Sequence, residues 1–505
     1  MNFTPLARII FRKAGLRTDA WASESEEIQL RQLRWLIFKG ADTEFGRKHN
    51  FESILANPDP RRAFRENVAI GEYEYFRPYV MKMTDGQRDI LWPGYCYNFA
   101  QSSGTSGGRS KFIPITRDSL RVNHFPGARD VMAQYLRAFP ESRIFSGKGM
   151  ILGGSFETRL HPKGHNVKAG DLSATLIDTI NPLVNLFRIP SKRIALNPDW
   201  TTKLDQLAKS AIGANLTNIS GVPSWFLRVI LRALEISGKE KASDLWPNLE
   251  VFFHGGISFD PYREEYTRIT DAEKMHFFET YNASEGFFAT QSSPENDGLL
   301  LLIDNGIYYE FLPIGCHDGN DAVGIEGVEK GRIYELIITA CNGLWRYSLG
   351  DTVEIVDTNP VKIRIAGRTH SFINAFGEEL MENNAERAIA DACAATGANI
   401  RNYTAGPLYA HGREKGRHQW LIEWDAAPSD INLFRDTLDA SLKELNSDYA
   451  AKRSGDIFLD PPQIITLPEG AFDKWLSQQG SGKLGGQRKI PRLRNDRSII
   501  DGLLG

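Results

Sequence analysis

Apolar and polar positions change rhythm twice along the chain. Residues 25–39 read as a helix, and a mixed region with many apolar runs follows. From residue 249 the pattern predicts strands: 249–254 running into Gly255-Gly256, 275–281 running into Asn282-Ala283-Ser284-Glu285, then 332–338, 352–356 and 362–366. Residues 299–303 and 307–311 flank Asp304-Asn305-Gly306, and an Asn-Gly pair between apolar runs predicts a hairpin. After Gly367 the order becomes helix (382–396), strand (400–405), strand (418–424), helix (431–446) and strand (463–467). The second helix carries Ile431, Phe434, Leu438, Leu442 and Leu445 on one stripe. The fold class expected is α/β: a large N-terminal domain of mixed sheets and helices (1–366), a hinge (367–371) and a small, mobile α+β C-terminal domain (372–505).

Length supports that division, because 505 residues exceed one compact core. With 41% hydrophobic and 24% charged residues and a formal net charge of -3, nothing demands a polyanionic partner, so no nucleic acid is expected. No apolar run approaches the roughly 18 residues of a membrane span, so no membrane association is expected. Cys96, Cys316, Cys341 and Cys393 lie far apart without paired spacing, which indicates neither a disulfide framework nor a thiolate metal cage and fits a reducing cytoplasm. The first seventeen residues hold Arg8, Arg12, Lys13 and Arg17 and no acid. That pattern suits a transit peptide or a membrane-surface helix, but an amphipathic helix packed on the main lobe is the expectation.

The most informative segment for chemistry is Ser102-Ser103-Gly104-Thr105-Ser106-Gly107-Gly108-Arg109-Ser110-Lys111. Glycines let backbone amides turn toward a ligand, hydroxyls add donors, and Arg109 and Lys111 add positive charge. It sits between apolar segments, which favours a phosphate cradle over a flexible linker. Gly104-Thr105-Ser106-Gly107-Gly108 also satisfies the G-x-S-x-G form of a nucleophile elbow, but that turn needs a helix at once, and Phe112-Ile113-Pro114 argues against one. The kinase and GTPase P-loop does not match, since no Ser or Thr follows Lys111.

Three further loops carry unusual chemistry. Gly255-Gly256 ends a strand and offers bare backbone to a flat ring, or is only a turn. Tyr281-Asn282-Ala283-Ser284-Glu285 places an aromatic, an amide, a hydroxyl and a carboxylate between strands. Tyr347-Ser348-Leu349-Gly350-Asp351 ends on an acid able to accept two ribose hydroxyls. Near the C-terminus, Gly480-Ser481-Gly482-Lys483-Leu484-Gly485 fits G-x-G-x-x-G but lacks the βαβ unit of a dinucleotide site, and reads instead as a hinge before the basic stretch 487–492.

Taken in order, these segments resemble the adenylate-forming superfamily of acyl-CoA synthetases, adenylation domains and luciferases, and most closely its auxin-responsive branch of acyl acid amido synthetases. The resemblance runs from about Ser102 to Arg492. It implies that Ser102, Ser103, Gly104, Thr105, Ser106, Gly107 and Lys111 form the ATP phosphate site. It implies that Gly255, Gly256 and Tyr281 border adenine, with Ser284 in the same loop, and that Glu285 holds Mg2+. Asp351 would bind ribose, Arg368 would stand in the inter-domain motif with Thr369 and His370, and Lys489 would be the catalytic lysine of the mobile domain. His370 and Ser348 depart from the superfamily's usual residues at the hinge and the ribose motif.

The activity so implied is activation of a carboxylic acid as acyl-AMP with loss of pyrophosphate, then transfer to an amine, with an amino acid expected as the acceptor. An acyl-CoA ligase differs only in its acceptor and stands as the alternative; a serine hydrolase on Ser106 and an inactive nucleotide-binding protein are remoter. The chain implies no protein partner and leaves both the acid and the amine unnamed. Arg121 and Arg129, in the helical stretch 118–137, are expected to be surface charges.

Overall fold

The computed structural model describes residues 2–102, 111–160, 167–316, 318–368, 372–409, 415–456, 459–478 and 490–504. Eleven strands form one mixed sheet, in the order Ile307–Pro313, Ile333–Ala340, Leu344–Thr358, Val361–Arg368, Leu299–Leu301, Gly286–Gln291, His276–Ala283, Val251–His254, Leu216–Gly221, Lys148–Ile151 and Arg188–Ile189. Neighbours run antiparallel from the first edge to His276–Ala283, and parallel from there to the last. Parallel pairs need crossovers, which the helices Trp200–Ile212, Pro223–Ser237 and Asp260–Ile269 supply. His276–Ala283 is therefore the seam between two kinds of sheet. Open parallel sheets display ligand sites at the carboxyl ends of their strands, and the loops after 254 and 283 lie at those ends.

A second sheet holds Lys111–Ile115, Asn98–Ser102, Val167–Gly170 and Phe156–Leu160. Its first two strands pair antiparallel through the last couple, Ser102 with Lys111. The segment 103–110 thus joins the two strands of a hairpin. Beyond them, the helical stretch expected at 118–137 opens with a π-helical turn, Ser119–His124, and continues as Phe125–Ala138.

The N-terminal helix, Thr4–Arg17, packs on the main lobe as expected. Arg8 donates to the Leu136 and Phe139 carbonyls at 2.6 and 3.1 Å, satisfying the end of helix Phe125–Ala138. Arg17 pairs with Asp130 at 2.6 Å and with Asp304 at 3.0 Å. No helix among the described residues is long and apolar enough to cross a membrane. All four cysteines are free.

The rhythm after residue 372 is realised as read: helix Glu382–Thr396, strands Asn399–Leu408 and Arg417–Ala426, helix Ile431–Leu445 and strand Gln463–Leu467. This C-terminal unit shares a core with the parallel half, since Ile373, Phe376, Trp420 and Leu442 join Phe226, Phe252 and Tyr266 in one buried cluster. Tyr262 Oη donates to the Ala375 carbonyl at 2.7 Å, and Lys452 Nζ lies 3.8 Å from the Trp225 ring centre.

Two expectations fail: Tyr347 to Asp351, read as a loop, is part of the continuous strand Leu344–Thr358, and the hairpin at Asn305-Gly306 does not form. Gly306 takes the positive φ of 78° that a tight turn wants, yet 299–303 and 307–311 do not form a hairpin. Leu299–Leu301 pairs with Gly286–Gln291 and Val361–Arg368, while Ile307–Pro313 pairs with Ile333–Ala340 at the sheet edge. Buried side chains take up the turn's backbone instead: Gln29 Nε2 donates to the Ile303 and Ile307 carbonyls at 2.6 and 2.9 Å, and Asn123 Nδ2 to that of Asn305 at 3.1 Å. Tertiary hydrogen bonds override the local turn signal.

Candidate active site

Tyr281 ends the buried run of the seam strand, and the two-residue turn Ser284-Glu285 reverses the chain into Gly286–Gln291, with Ala283 opposite Gly286. Asp351 lies on Leu344–Thr358, and Arg368 closes the neighbouring strand directly opposite it. The Asp351 carboxylate accepts the Tyr281 hydroxyl at 2.6 Å on one oxygen and Arg368 Nε at 2.7 Å on the other. Residues far apart in sequence thereby form one buried, charge-assisted chain. A carboxylate has about four lone-pair directions, so acceptor capacity remains for ribose hydroxyls.

Glu285 stands next to this chain. Burial pushes its carboxyl above the usual carboxylate range, opposed mainly by the Lys111 ammonium. Asn342 Nδ2 donates to its main-chain carbonyl at 3.1 Å and the Tyr347 hydroxyl approaches its carboxylate at 3.5 Å. Lys111, at the foot of the 103–110 segment, lies 5.9 Å from the Tyr73 ring centre, and Tyr73 Oη accepts the Phe112 amide at 2.8 Å. The hairpin base and the acidic turn therefore face one another.

Arg368 also reaches toward Glu379, 3.9 Å away, across the segment that begins the C-terminal region. Glu379 has a strained φ of 40°. Burial pushes its carboxyl up to about 7, with Arg368 opposing. At the neighbouring loop, a Cβ on Gly255 would fall 2.3 Å from the Thr280 carbonyl oxygen, so close strand packing accounts for that glycine. Gly256 has a φ of 82°, and its carbonyl accepts Asn374 Nδ2 at 3.3 Å.

Of the residues singled out from sequence, Tyr281, Ser284, Glu285, Asp351, Arg368 and Lys111 gather in this region; Gly255 and Gly256 follow the adjacent strand. Ser102 closes its strand. Ser103, Gly104, Thr105, Ser106, Gly107 and Lys489 lie outside the described residues, as do Thr369 and His370 of the hinge. Arg121 is exposed and Arg129 pairs with Asp130 at 3.3 Å, in keeping with surface charges. Sequence reading missed Tyr73 and Glu379. Glu379 lies eleven residues beyond Arg368 with no motif of its own to mark it, and Tyr73 lies in a helix with no local chemical signal.

For magnesium the fit is that of a single carboxylate. Among the described residues no three His, Cys, Asp or Glu side chains gather as a cage. Mg2+ retains waters and takes substrate phosphates alongside one or two carboxylates, so Glu285 beside the hairpin suits it.

A mixed sheet that gathers buried charged groups at its seam, with a smaller C-terminal unit beside it, defines the class as a two-part α/β protein, and comparison with known proteins makes it specific. The chain belongs to the GH3 family: its N-terminal domain model matches residues 17–275, its central domain 300–368 and its C-terminal domain 383–498. A probable indole-3-acetic acid-amido synthetase GH3.1 of Oryza sativa subsp. japonica is 24% identical, over 94% of this chain and 88% of that protein. The 4-substituted benzoates-glutamate ligase GH3.12 of Arabidopsis thaliana is 22% identical over 93% of both. Among solved structures, the GH3.15 acyl acid amido synthetase in complex with 2,4-DB aligns with a TM-score of 0.61 at 19% identity, covering 97% of this chain and 95% of that one. A 2-hydroxyisobutyryl-CoA ligase in complex with 2-HIB-AMP and CoA aligns at 0.58 and 13% identity, covering 96% and 92%. The fold is shared with these adenylate-forming enzymes.

Proposed function

We propose that this protein is an ATP-dependent acyl acid amido synthetase that conjugates a carboxylic acid to an amino acid. The observation that carries the reading is the Tyr281, Asp351 and Arg368 chain beside Glu285 and Lys111, at the strand ends where the 103–110 hairpin opens. A carboxylate oxygen of the acid attacks the α-phosphorus of ATP, and the bond to the bridging oxygen breaks, releasing pyrophosphate. The amine nitrogen then attacks the acyl carbon, the acyl to AMP bond breaks, and the amine loses a proton.

Asp351 orients the ribose, held in place by Tyr281 and Arg368, while Lys111 and the amides and hydroxyls from Ser102 to Gly107 meet the phosphates. Such chemistry needs positioning and electrostatics rather than a protein nucleophile. Mg2+, held by Glu285, would neutralise phosphate charge. Gly256 and Tyr281 border the base, and a hinge at 367–371 lets Lys489 approach. The cytoplasm suits an enzyme that uses ATP and whose four thiols are free.

Pyrophosphate release from a panel of carboxylic acids, with product mass spectrometry in the presence of both amino acids and coenzyme A, tests the reading. An acyl-amino acid is expected. A dominant acyl-CoA would replace it with the ligase alternative, and absence of ATP-dependent pyrophosphate release would end it.

A further inference from the structure

The N-terminal helix is amphipathic in the unusual direction. It buries Thr4, Ala7, Ala14 and Gly15 against the main lobe, so its small residues face inward. Its large apolar side chains face out: Ile9 is 72% exposed, Ile10 64% and Leu6 55%, with Leu16 beside them. These follow the i, i+3, i+4 spacing of a single helical stripe, the spacing that ordinarily marks a buried face. The surface continues beyond the helix. Phe3 donates its amide to the Phe145 carbonyl at 3.1 Å and packs edge-on against Phe187 at 5.7 Å, which sets the exposed Leu183 and Leu186 alongside.

Charge decides what this face fits. The helix holds four bases and no acid. Arg8 and Arg17 are committed to internal carbonyls and to Asp130 and Asp304. Arg12 and Lys13 are exposed and make no ion pair among the described residues. A second copy of the chain docked by a two-fold axis would set Arg12 and Lys13 against the same basic face, which like-charge repulsion disfavours. An anionic bilayer offers both things the face lacks, apolar volume for the leucines and isoleucines and negative charge at the level of the bases.

We propose that this face docks peripherally on an anionic lipid surface, with the helix lying in the interfacial plane. This departs from the expectation of no membrane association, which rested on the lack of an apolar span, because peripheral docking needs no spanning segment.

The test is co-sedimentation of the full chain with unilamellar vesicles of phosphatidylcholine alone or mixed with phosphatidylglycerol. Wild type should bind the mixed vesicles, bind neutral ones much less, and be released by salt. An Ile9→Ser, Ile10→Ser variant and an Arg12→Glu, Lys13→Glu variant should each lose about tenfold or more in affinity, since each surface charge contributes roughly fivefold. Both should keep the wild-type melting temperature and pyrophosphate-releasing activity on soluble substrates. Should the isoleucine variant fold poorly, the charge variant reads the proposal independently. No sedimentation with anionic vesicles at low salt, or equal sedimentation of wild type and charge variant, overturns it. So does a dimer in analytical ultracentrifugation that either variant dissociates.

Discussion

At Asp351 the proposed ribose contact would share a carboxylate that already bonds Tyr281 and Arg368, and this alters what its loss should do. From sequence it is a ribose acceptor in a loop. In the fold it is nearly buried between Tyr281 and Arg368, so Asp351→Ala orphans a hydroxyl and a guanidinium as well as removing the ribose contact. We expect it to weaken ATP binding by about tenfold or more and to lower unfolding free energy by roughly 1–3 kcal/mol. Asp351→Asn, which keeps the shape and one acceptor, should cost less stability than affinity. Calorimetric titration with ATP and with 2′,3′-dideoxy-ATP, beside urea unfolding, separates the effects; equal wild-type affinity for both nucleotides would remove Asp351 from the ribose. Glu379 makes a second case. Its carboxyl is raised to about 7, above its unfolded value, so the folded state holds the extra proton in between. Its stabilising contribution is complete below the unfolded value and is lost as pH rises through about 7. Since the side chain is 29% exposed, solvent discounts the effect to about 1 kcal/mol. Glu379→Gln should therefore flatten the fall in stability between about pH 5 and pH 8, as read by urea midpoints; an unchanged slope would assign the titration elsewhere. Tyr281, Glu285 and Asp351 stood out because each reads in sequence as a short polar loop between apolar runs, although only Glu285 sits in a turn and the other two lie on strands. Their mutual bonding was not legible, since register between strands 70 residues apart has no local signature.

Among the elements, apolar periodicity predicted the C-terminal helices and strands well because they bury apolar residues in two cores, one shared with the parallel half and a smaller one holding Leu421 and Leu467. The strands on either side of Asn305-Gly306 were read correctly, but the turn signal mispaired them for a physical reason: Gln29 and Asn123 satisfy the turn backbone that a hairpin would pair for itself. The N-terminal helix shows the same limit, for a packed amphipathic helix was expected from its bases while its inward face is set by small residues. Gly255 is a sharper test of what an element requires. It follows Val251–His254 where the backbone meets the seam strand, and an added methyl would strike the Thr280 carbonyl oxygen, a backbone atom with little room to move. Gly255→Ala should cost roughly 1–3 kcal/mol, the usual range for forced overpacking. Gly256→Ala meets no backbone and carries only the strain of its positive φ, about 1 kcal/mol. Chemical denaturation of both variants checks the order. The reverse order would mean that the two strands separate here more easily than their packing indicates.

For the molecule as a whole, the proposed reaction makes the relation between the large lobe and the C-terminal unit the control point of turnover. The unit is docked through a shared core, with Lys452 over the Trp225 ring and Tyr262 bonded to the Ala375 carbonyl, so any swing about 367–371 has to break these contacts. Arg368 and Glu379 flank that segment, so the proposed ATP site ends where such a swing would begin. If the small domain alternates between arrangements, Lys489 reaches the phosphates in only one of them, a gating motion of the kind that accompanies ligand closure. Lys489→Ala should then slow adenylate formation by about 10²- to 10³-fold, the scale of losing one strong donor at developing charge. Transfer to the amine from pre-made acyl-AMP should fall much less, because the α-phosphorus no longer gains charge by attack. Single-turnover assays begun from ATP plus acid, and separately from acyl-AMP, measure the two halves. Equal loss in both would give Lys489 a role common to the two arrangements, such as nucleotide binding, and no loss in either would leave it a solvated charge of the basic stretch.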